Sequence, residues 1–480
     1  MIVQTQSGQV RGTPETGSGY VFRGIPYASP PVGALRWRSP EPVPRWHGIR
    51  DVAAFGPMCP QPPAGGLAAQ ILPSEAESED CLTCNIWTPG IGAEKYPVAV
   101  WIHGGGFIMG SGSWPSGSAF ARDGIVLVTF NYRVGPLGFF HLDDLFDDFS
   151  GTGNLGIRDQ IFLLRWVRDN IAAFGGDPDR VTVFGESAGA ISVGTLLASP
   201  PAKGLFRQAI TQSGAAHHAR SRQAATAVTR HVCKTLGVSP GDHDALMGAP
   251  AGALVEAAFD LVVSGALESL SGSEGTLGGD MVFMPVIDGD ILHQRPIEAV
   301  RGGSAAGVSL LSGVNEDEWK LVVYGMGAAA TASTPIPDYT RFEPGTGVAG
   351  DVLAGRYAAL MPGCSDHEIY CAVQSDNVFT VPARRLADAQ AGHGPVHAYL
   401  FGWRTPVMGH VLGACHGLDI PFVFDRLDEA AALVGDTPPC LLAKTMHTAW
   451  VEFIRSGRPA APSLPDWPLY RTGERATMRF

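Results

Sequence analysis

A chain of 480 residues, 45% hydrophobic and 17% charged, holds enough apolar side chain for a large core, which excludes a largely disordered protein. Its 34 Lys and Arg against 46 Asp and Glu give a net charge of −12, which excludes a general nucleic-acid binder with a basic face for phosphates. Eight cysteines (Cys59, Cys81, Cys84, Cys233, Cys364, Cys371, Cys415 and Cys440) are too few for a dense disulfide framework.

In chain order, the opening residues Met1 to Val10 carry neither a basic leader nor an apolar run of signal-peptide length. No stretch approaches the ~18 uninterrupted apolar residues of a membrane span. A cytoplasmic protein is expected, or a secreted one if a leader has been removed. Residues 1–95 are rich in Pro, Gly and Trp and read as irregular wrapping with small strands. Val98–Ile102 is a continuous apolar run that ends in His103-Gly104-Gly105-Gly106, as a buried parallel strand ends in a loop. Ile125–Phe130 is a second such strand. Apolar residues at helical spacing (Ile161, Leu164, Val167, Ile171) predict a helix from Ile157 to Phe174, stopped by Gly175-Gly176.

Arg180–Phe184 reads as a third strand, followed by the turn Gly185-Glu186-Ser187-Ala188-Gly189 and a helix from Ala190 to Leu197. Further strands are predicted at Gln208–Thr211, Val308–Leu311 and His397–Phe401. A final amphipathic helix covers Leu441 to Ile454, with Gly457 and Pro459 beyond its end. Strands alternating with helices imply an α/β fold with a largely parallel sheet covered on both faces. One domain over 1–480 is expected, with insertions near 215–300 and 320–395.

Gly185-x-Ser187-x-Gly189 fits a nucleophile elbow. The serine sits on a tight strand-to-helix turn, and its flanking glycines let neighbouring backbone pass without a Cβ. A nucleophilic serine needs donors for the charge that develops on the carbonyl oxygen. Three glycines just after the upstream strand supply them, so Gly105, Gly106 and Ala188 are the expected N–H groups of an oxyanion hole.

Together with further motifs, these residues resemble the type-B carboxylesterases, the carboxylesterase/cholinesterase family of the α/β-hydrolase fold, and most of all its bacterial para-nitrobenzyl-esterase-like members. The motifs are Phe22-Arg23-Gly24-Ile25-Pro26-Tyr27-Ala28, Pro31-Val32-Gly33-x-Leu35-Arg36, Ser78-Glu79-Asp80-Cys81-Leu82, Asn131-Tyr132-Arg133-x-Gly135 and Phe184 to Gly189. They are spread along the chain and collectively specific. The resemblance implies an α/β-hydrolase fold with helical insertions and a serine carboxylic-ester hydrolase that needs no cofactor or metal.

Acid and base follow the serine in the order Ser, Asp/Glu, His. His416, in Gly413-Ala414-Cys415-His416-Gly417-Leu418-Asp419, resembles the family's H-G-x-[DE] motif, with His410 its nearest rival. Glu318 takes the acid position of the family's G-x-x-x-D-E motif, ahead of Asp317, while Glu316 reads as a solvated charge. Trp319 departs from the glycine common after that glutamate. Glu186 resembles the family's buried glutamate beside the serine, with a structural or a catalytic role, and Ser213 a family serine near the acid, which supports the site with or without touching catalysis. Cys59 and Cys81 match a disulfide pair of animal members, although thiols in a cytoplasm stay reduced. Cys364-x-Asp366-His367-Glu368-x-x-Cys371 has zinc-ligand residue types at a spacing that forces no convergence, and zinc is not expected there.

The expected partner is a small-molecule ester. The family's cholinesterases grip a cation with an aromatic residue between the two cysteines; here Pro60 to Asp80 contains no aromatic residue. Neutral short-to-medium acyl esters are therefore the expected substrates. The alternatives are a lipase, for which the apolar, glycine-rich Ala251–Gly278 would serve as a flap, and a non-catalytic adhesion-type relative, against which the intact serine, acid and histidine speak.

Overall fold

The computed structural model describes residues 1–72, 74–264, 281–325 and 350–480. Among these residues ten strands form the main sheet: β1 (Thr13–Glu15), β2 (Gly19–Pro26), β3 (Thr83–Thr88), β4 (Tyr96–Ile102), β5 (Val126–Phe130), β6 (Gly176–Glu186), β7 (Gln208–Gln212), β8 (Ser309–Asn315), β9 (Val396–Phe401) and β10 (Thr477–Arg479). Their spatial order is β10-β9-β8-β7-β6-β4-β5-β3-β2-β1. Every pairing from β10 to β5 is parallel, and β5-β3, β3-β2 and β2-β1 are antiparallel.

The central strands are the continuous apolar runs of the sequence, and the structure buries them on both faces. Alternate residues go to opposite sides. Val98, Val100, Val126, Val128, Val181 and Val183 pack on one face with Leu163, Leu164 and Val167 of helix α1 (Leu155–Asn170). Ala99, Trp101, Leu127, Phe184, Ile210 and Leu311 pack on the other with residues of the C-terminal helix. The helices that position the site are α2 (Ala188–Ala198), α3 (Arg222–Thr235), α4 (Ala251–Ser264), α5 (Asp366–Ser375), α6 (Val381–Gln390) and α7 (Cys440–Ser456).

Most predicted elements appear with shifted ends. The helix expected over Ile157–Phe174 is α1 plus a 3-10 turn at Ile171–Phe174, closed by Gly175 at φ +85°. The third strand starts four residues earlier than expected and runs to the elbow itself. Helix α7 ends at Gly457, φ +79°. In the two regions expected to be insertions lie α3 and α4, then α5 and α6; residues 265–280 and 326–349 of these regions fall outside the described residues. So does all of the expected flap beyond α4.

The register places the site. Ile102 pairs with Gly185, and Glu186 with Gln212, itself paired with Gly313. The segments following β4, β6, β7 and β8 therefore all leave the sheet at one edge, the carboxyl ends of its parallel strands, where open α/β sheets bind ligands.

Candidate active site

Ser187 is the single residue between β6 and α2, with φ 54° and ψ −123°. Few side-chain-bearing residues tolerate positive φ, so its neighbours must hold it there. They do so by close approach. A Cβ on Gly189 would lie 2.0 Å from the Ile102 carbonyl oxygen, and one on Gly185 would lie 2.6 Å from Gly189 itself. The Ser187 N–H donates to the Gln212 carbonyl at 2.9 Å, tying the turn to β7. The side chain is left half-buried.

The loop after β4 runs beside it. A Cβ on Gly104 would come within 3.1 Å of Ser187 Cβ, so only glycine lets the two segments pass. Gly105 (φ +104°), Gly106 (φ +61°) and Phe107 (φ 60°) then turn the backbone left-handed. Ile108 and Met109 N–H groups close this turn on the Gly105 carbonyl at 3.0 and 3.1 Å. Among the described residues the Gly105 and Gly106 N–H groups make no hydrogen bond, and Ala188, first residue of α2, has no intrahelical acceptor. Beneath the loop, His103 stacks on Tyr132 at 4.3 Å between ring centres, and burial pushes its imidazole down to about 4.

Glu318 follows β8 in a tight turn and is fully buried. Its Oε1 accepts the Asn315 N–H at 2.7 Å, and its Oε2 stands 2.7 Å from His416 Nδ1. The His416 N–H also donates to the Glu318 carbonyl at 3.2 Å. Of the two rivals, Asp317 turns away: it pairs with Lys320 at 2.8 Å and accepts the Ala414 N–H at 3.0 Å, so it fastens the histidine's loop from outside. His410 is exposed on a left-handed bend, and Glu316 pairs with Arg479 at 2.9 Å on the surface.

His416 is 14% exposed, and its Nε2 stands 3.1 Å from Glu186 Oε1. The ring is thus bracketed by carboxylates. Burial alone would lower its pKa; the charges of Glu186 and Glu318 outweigh that and lift it to about 9. Burial lifts Glu186 to about 8, against the pull of His416. Phe379, in the turn between α5 and α6, packs on the imidazole at 4.6 Å. Trp319 explains its own departure from glycine by its ring, which is buried 6.2 Å from Phe379 and backs the ring that backs the histidine; its backbone N–H donates to Ser375 Oγ at 3.0 Å.

Ser213 is buried at φ 52°, and its hydroxyl makes no hydrogen bond among the described residues. Cys59 and Cys81, the pair suggested for a disulfide, are both free and buried; the neighbouring Cys59 thiol and burial push the Cys81 thiol well up. Glu368 of the zinc-type cluster caps α5 together with Ser365. No three His, Cys, Asp or Glu side chains converge as metal ligands among the described residues, and no described helix is long and apolar enough to cross a membrane.

Four residues at the site had no role assigned from sequence: Asn315, Asp419, Gln212 and Tyr399, all buried behind the Glu318–His416 pair. Only Asp419 carried a signal, as the acidic position of H-G-x-[DE].

A sequence profile of the Carboxylesterase family matches residues 1–352 and 360–480. The chain belongs to the carboxylesterase family. It is 38% identical to the para-nitrobenzyl esterase of Bacillus subtilis (strain 168), covering 99% of this chain and 94% of that one. The phenmedipham hydrolase of Pseudarthrobacter oxydans is 36% identical with the same coverage. The crystal structure of a Geobacillus stearothermophilus carboxylesterase at pH 6.2 superposes with a TM-score of 0.84 at 39% identity, covering 100% of this chain and 96% of that one. The fold is therefore the α/β-hydrolase fold that the motifs implied, and this carboxylesterase-family chain is a serine-type carboxylic-ester hydrolase.

Proposed function

We propose that ester hydrolysis in this chain runs through Ser187 as nucleophile, His416 as base and Glu318 as the carboxylate that orients the base. The observation carrying this reading is the 2.7 Å contact between His416 Nδ1 and a fully buried Glu318, beside a serine held at positive φ. Glu318 fixes the tautomer with hydrogen on Nδ1 and stabilises the imidazolium without taking its proton. Once His416 has lost the proton that the nearby carboxylates favour, its Nε2 is free to accept one from Ser187 Oγ. The serine attacks the ester carbonyl, and the N–H groups of Gly105, Gly106 and Ala188 receive the oxyanion. The alcohol leaves with the proton returned by His416; water, activated by the same nitrogen, then releases the acid and restores the serine.

The substrates we propose are neutral short-to-medium acyl esters, supported by the absence of an aromatic residue between Pro60 and Asp80. The sheet draws its strands from residue 13 to residue 479, which supports reading the chain as one domain. The free Cys59 and Cys81 suit a cytoplasmic, reducing setting. The deciding experiment is hydrolysis of a chromogenic acetate ester by Ser187→Ala. A folded variant without turnover is expected; a folded variant with near-normal turnover would remove the nucleophile assignment.

A further inference from the structure

Between the turn that carries Glu318 and the loop that carries His416, on the buried side opposite Asp317, stands the side chain of Asn315, the last residue of β8. Its backbone N–H donates to Glu318 Oε1 at 2.7 Å. Its Nδ2 donates to the Cys415 carbonyl at 2.7 Å and stands 3.4 Å from Asp419 Oδ1. Cys415 immediately precedes His416, and Asp419 follows it by three. All four partners, Asn315, Glu318, Cys415 and Asp419, are fully buried. The orientation of the amide follows from chemistry: both neighbours of Nδ2 are oxygen acceptors, and only an N–H group fits between them.

Asp419 is in turn fixed from the sheet. Gln212 Nε2 at the end of β7 and the Tyr399 hydroxyl on β9 both donate to its Oδ2 at 2.9 Å. Gln212 Oε1 accepts from Trp450 Nε1 of α7 at 3.3 Å. A carboxylate is tolerated at this depth because donors surround it. The frame therefore reaches the acid–base pair from three strands and a helix, and Asn315 is the point where it touches both members.

We propose that Asn315 is a positioning residue of ester hydrolysis, holding Glu318 and the peptide before His416 at a fixed separation with Asp419 as its anchor. This role rests on Glu318 and His416 acting as orienting acid and base. A base aligned by its carboxylate for proton transfer with a serine is sensitive to small displacement; a misplacement of ~1 Å can cost on the order of 100-fold in rate. Substrate contacts are untouched, so the loss belongs to kcat.

The test compares Asn315→Asp and Asn315→Leu with the wild-type chain on a chromogenic acetate ester from about pH 6 to 9, with folding followed by near-UV circular dichroism. Asn315→Asp keeps the shape but donates only while protonated. It faces the Cys415 carbonyl and Asp419, with Glu318, Glu186, His416 and Tyr399 as the other titratable groups around Asp419, and the Cys415 thiol and Asp317 beyond. As pH rises and its carboxyl ionises, the donor is lost and a like charge appears beside Asp419. Its kcat relative to wild type is expected to fall with rising pH, by about 10- to 100-fold at the alkaline end, with KM within about 3-fold. Asn315→Leu has no donor at any pH, and its kcat is expected to fall by a similar factor throughout. It stands in if the aspartate variant does not fold, and the aspartate variant stands in for it. A folded Asn315→Asp with the wild-type pH profile, a folded Asn315→Leu with wild-type kcat, or a loss carried in KM overturns the role. Ser187→Ala run in parallel separates the two readings: if it stays active, the acid–base assignment itself has failed; if it is inactive while the Asn315 variants behave as wild type, only the positioning role has failed.

Discussion

Two walls of the molecule are built differently. On the wall made by the ends of β6, β7 and β8, both Glu318 oxygens are engaged, and the elbow admits no Cβ at Gly185 or Gly189. The second wall is the segment from Cys59 to Cys81, which borders a cavity of about 290 Å³ lined in part by Gln61, Pro62, Leu72, Glu75 and Ser111, with neither Ser187 nor His416 in its lining. It also borders one of about 460 Å³ against Val255 and Phe259 of α4. Atoms that must meet within tenths of an ångström stand on tight turns at strand ends; open space lies beside a longer loop. Substitutions on the first wall should therefore change kcat steeply, and those on the second should change substrate preference mildly.

The largest effect is expected from Glu318→Gln. The variant keeps the shape and loses the charge that fixes the His416 tautomer. A fall in kcat of about 10⁴ with little change in KM is expected, as for loss of an orienting carboxylate elsewhere. A loss below tenfold in a folded variant would mean that His416 is oriented by other groups. Gly105→Ala comes next. Its Cβ would lie 2.2 Å from the Met109 carbonyl oxygen at φ +104°, so the loop must open and its N–H groups lose their aim. A fall in kcat of roughly 10²–10³ is expected, the worth of an oxyanion donor. Full activity there would free Gly105 of that role.

Glu186→Gln probes the charge on the first wall. In the native site two carboxylates favour the imidazolium, so activity should fall, as pH drops, at a midpoint above the ordinary imidazole value of ~6.5. Removing the Glu186 charge disfavours the imidazolium, lowers the His416 pKa and moves that midpoint to lower pH. A pH–rate profile of kcat/KM measures it; an unchanged midpoint would show that the Glu186 charge does not act on His416.

How far the site was legible from sequence follows the same division. The elbow and the oxyanion loop were readable because glycine at fixed spacing records a steric demand of the backbone, as Gly189 against Ile102 shows. The central strands were readable because burial on both faces writes a continuous apolar run. Asn315, Gln212 and Tyr399 were not: each is a polar residue at or near a strand end, and its partner Asp419 lies 20 to 207 residues away in the chain. Strand β10 is three residues long, too short to carry a period. Helix α6 begins Val381-Pro382 and continues with two arginines, a start that resembles a loop until the proline is seen at the first turn, where its missing N–H costs nothing.

The smallest effect is expected on the open wall, in the choice between a choline ester and a neutral ester with the same acyl group. A quaternary ammonium is held by aromatic faces, each contributing about 0.5–2 kcal/mol. The cavity beside Ser111 has no aromatic residue in its lining, and the one against α4 has only Phe259. Glu75 and Glu77 offer negative charge instead. Glu75, however, accepts from Ser111 Oγ at 3.2 Å, and partial burial raises its pKa, so desolvation works against its charge. Glu77 is more open to salt, which screens exposed charges beyond ~10 Å at 0.1 M. Attraction without a cage leaves the cation's lost hydration uncompensated, whereas a neutral alcohol loses little on entering a wall of proline, alanine and leucine. A preference of up to roughly tenfold in kcat/KM for the neutral ester is therefore expected, about 1.4 kcal/mol at most. Adding salt should leave the neutral ester's rate unchanged and lower the choline ester's slightly. A clear preference for the choline ester, retained in salt, would place an aromatic cage on this wall and bring its precision closer to that of the first.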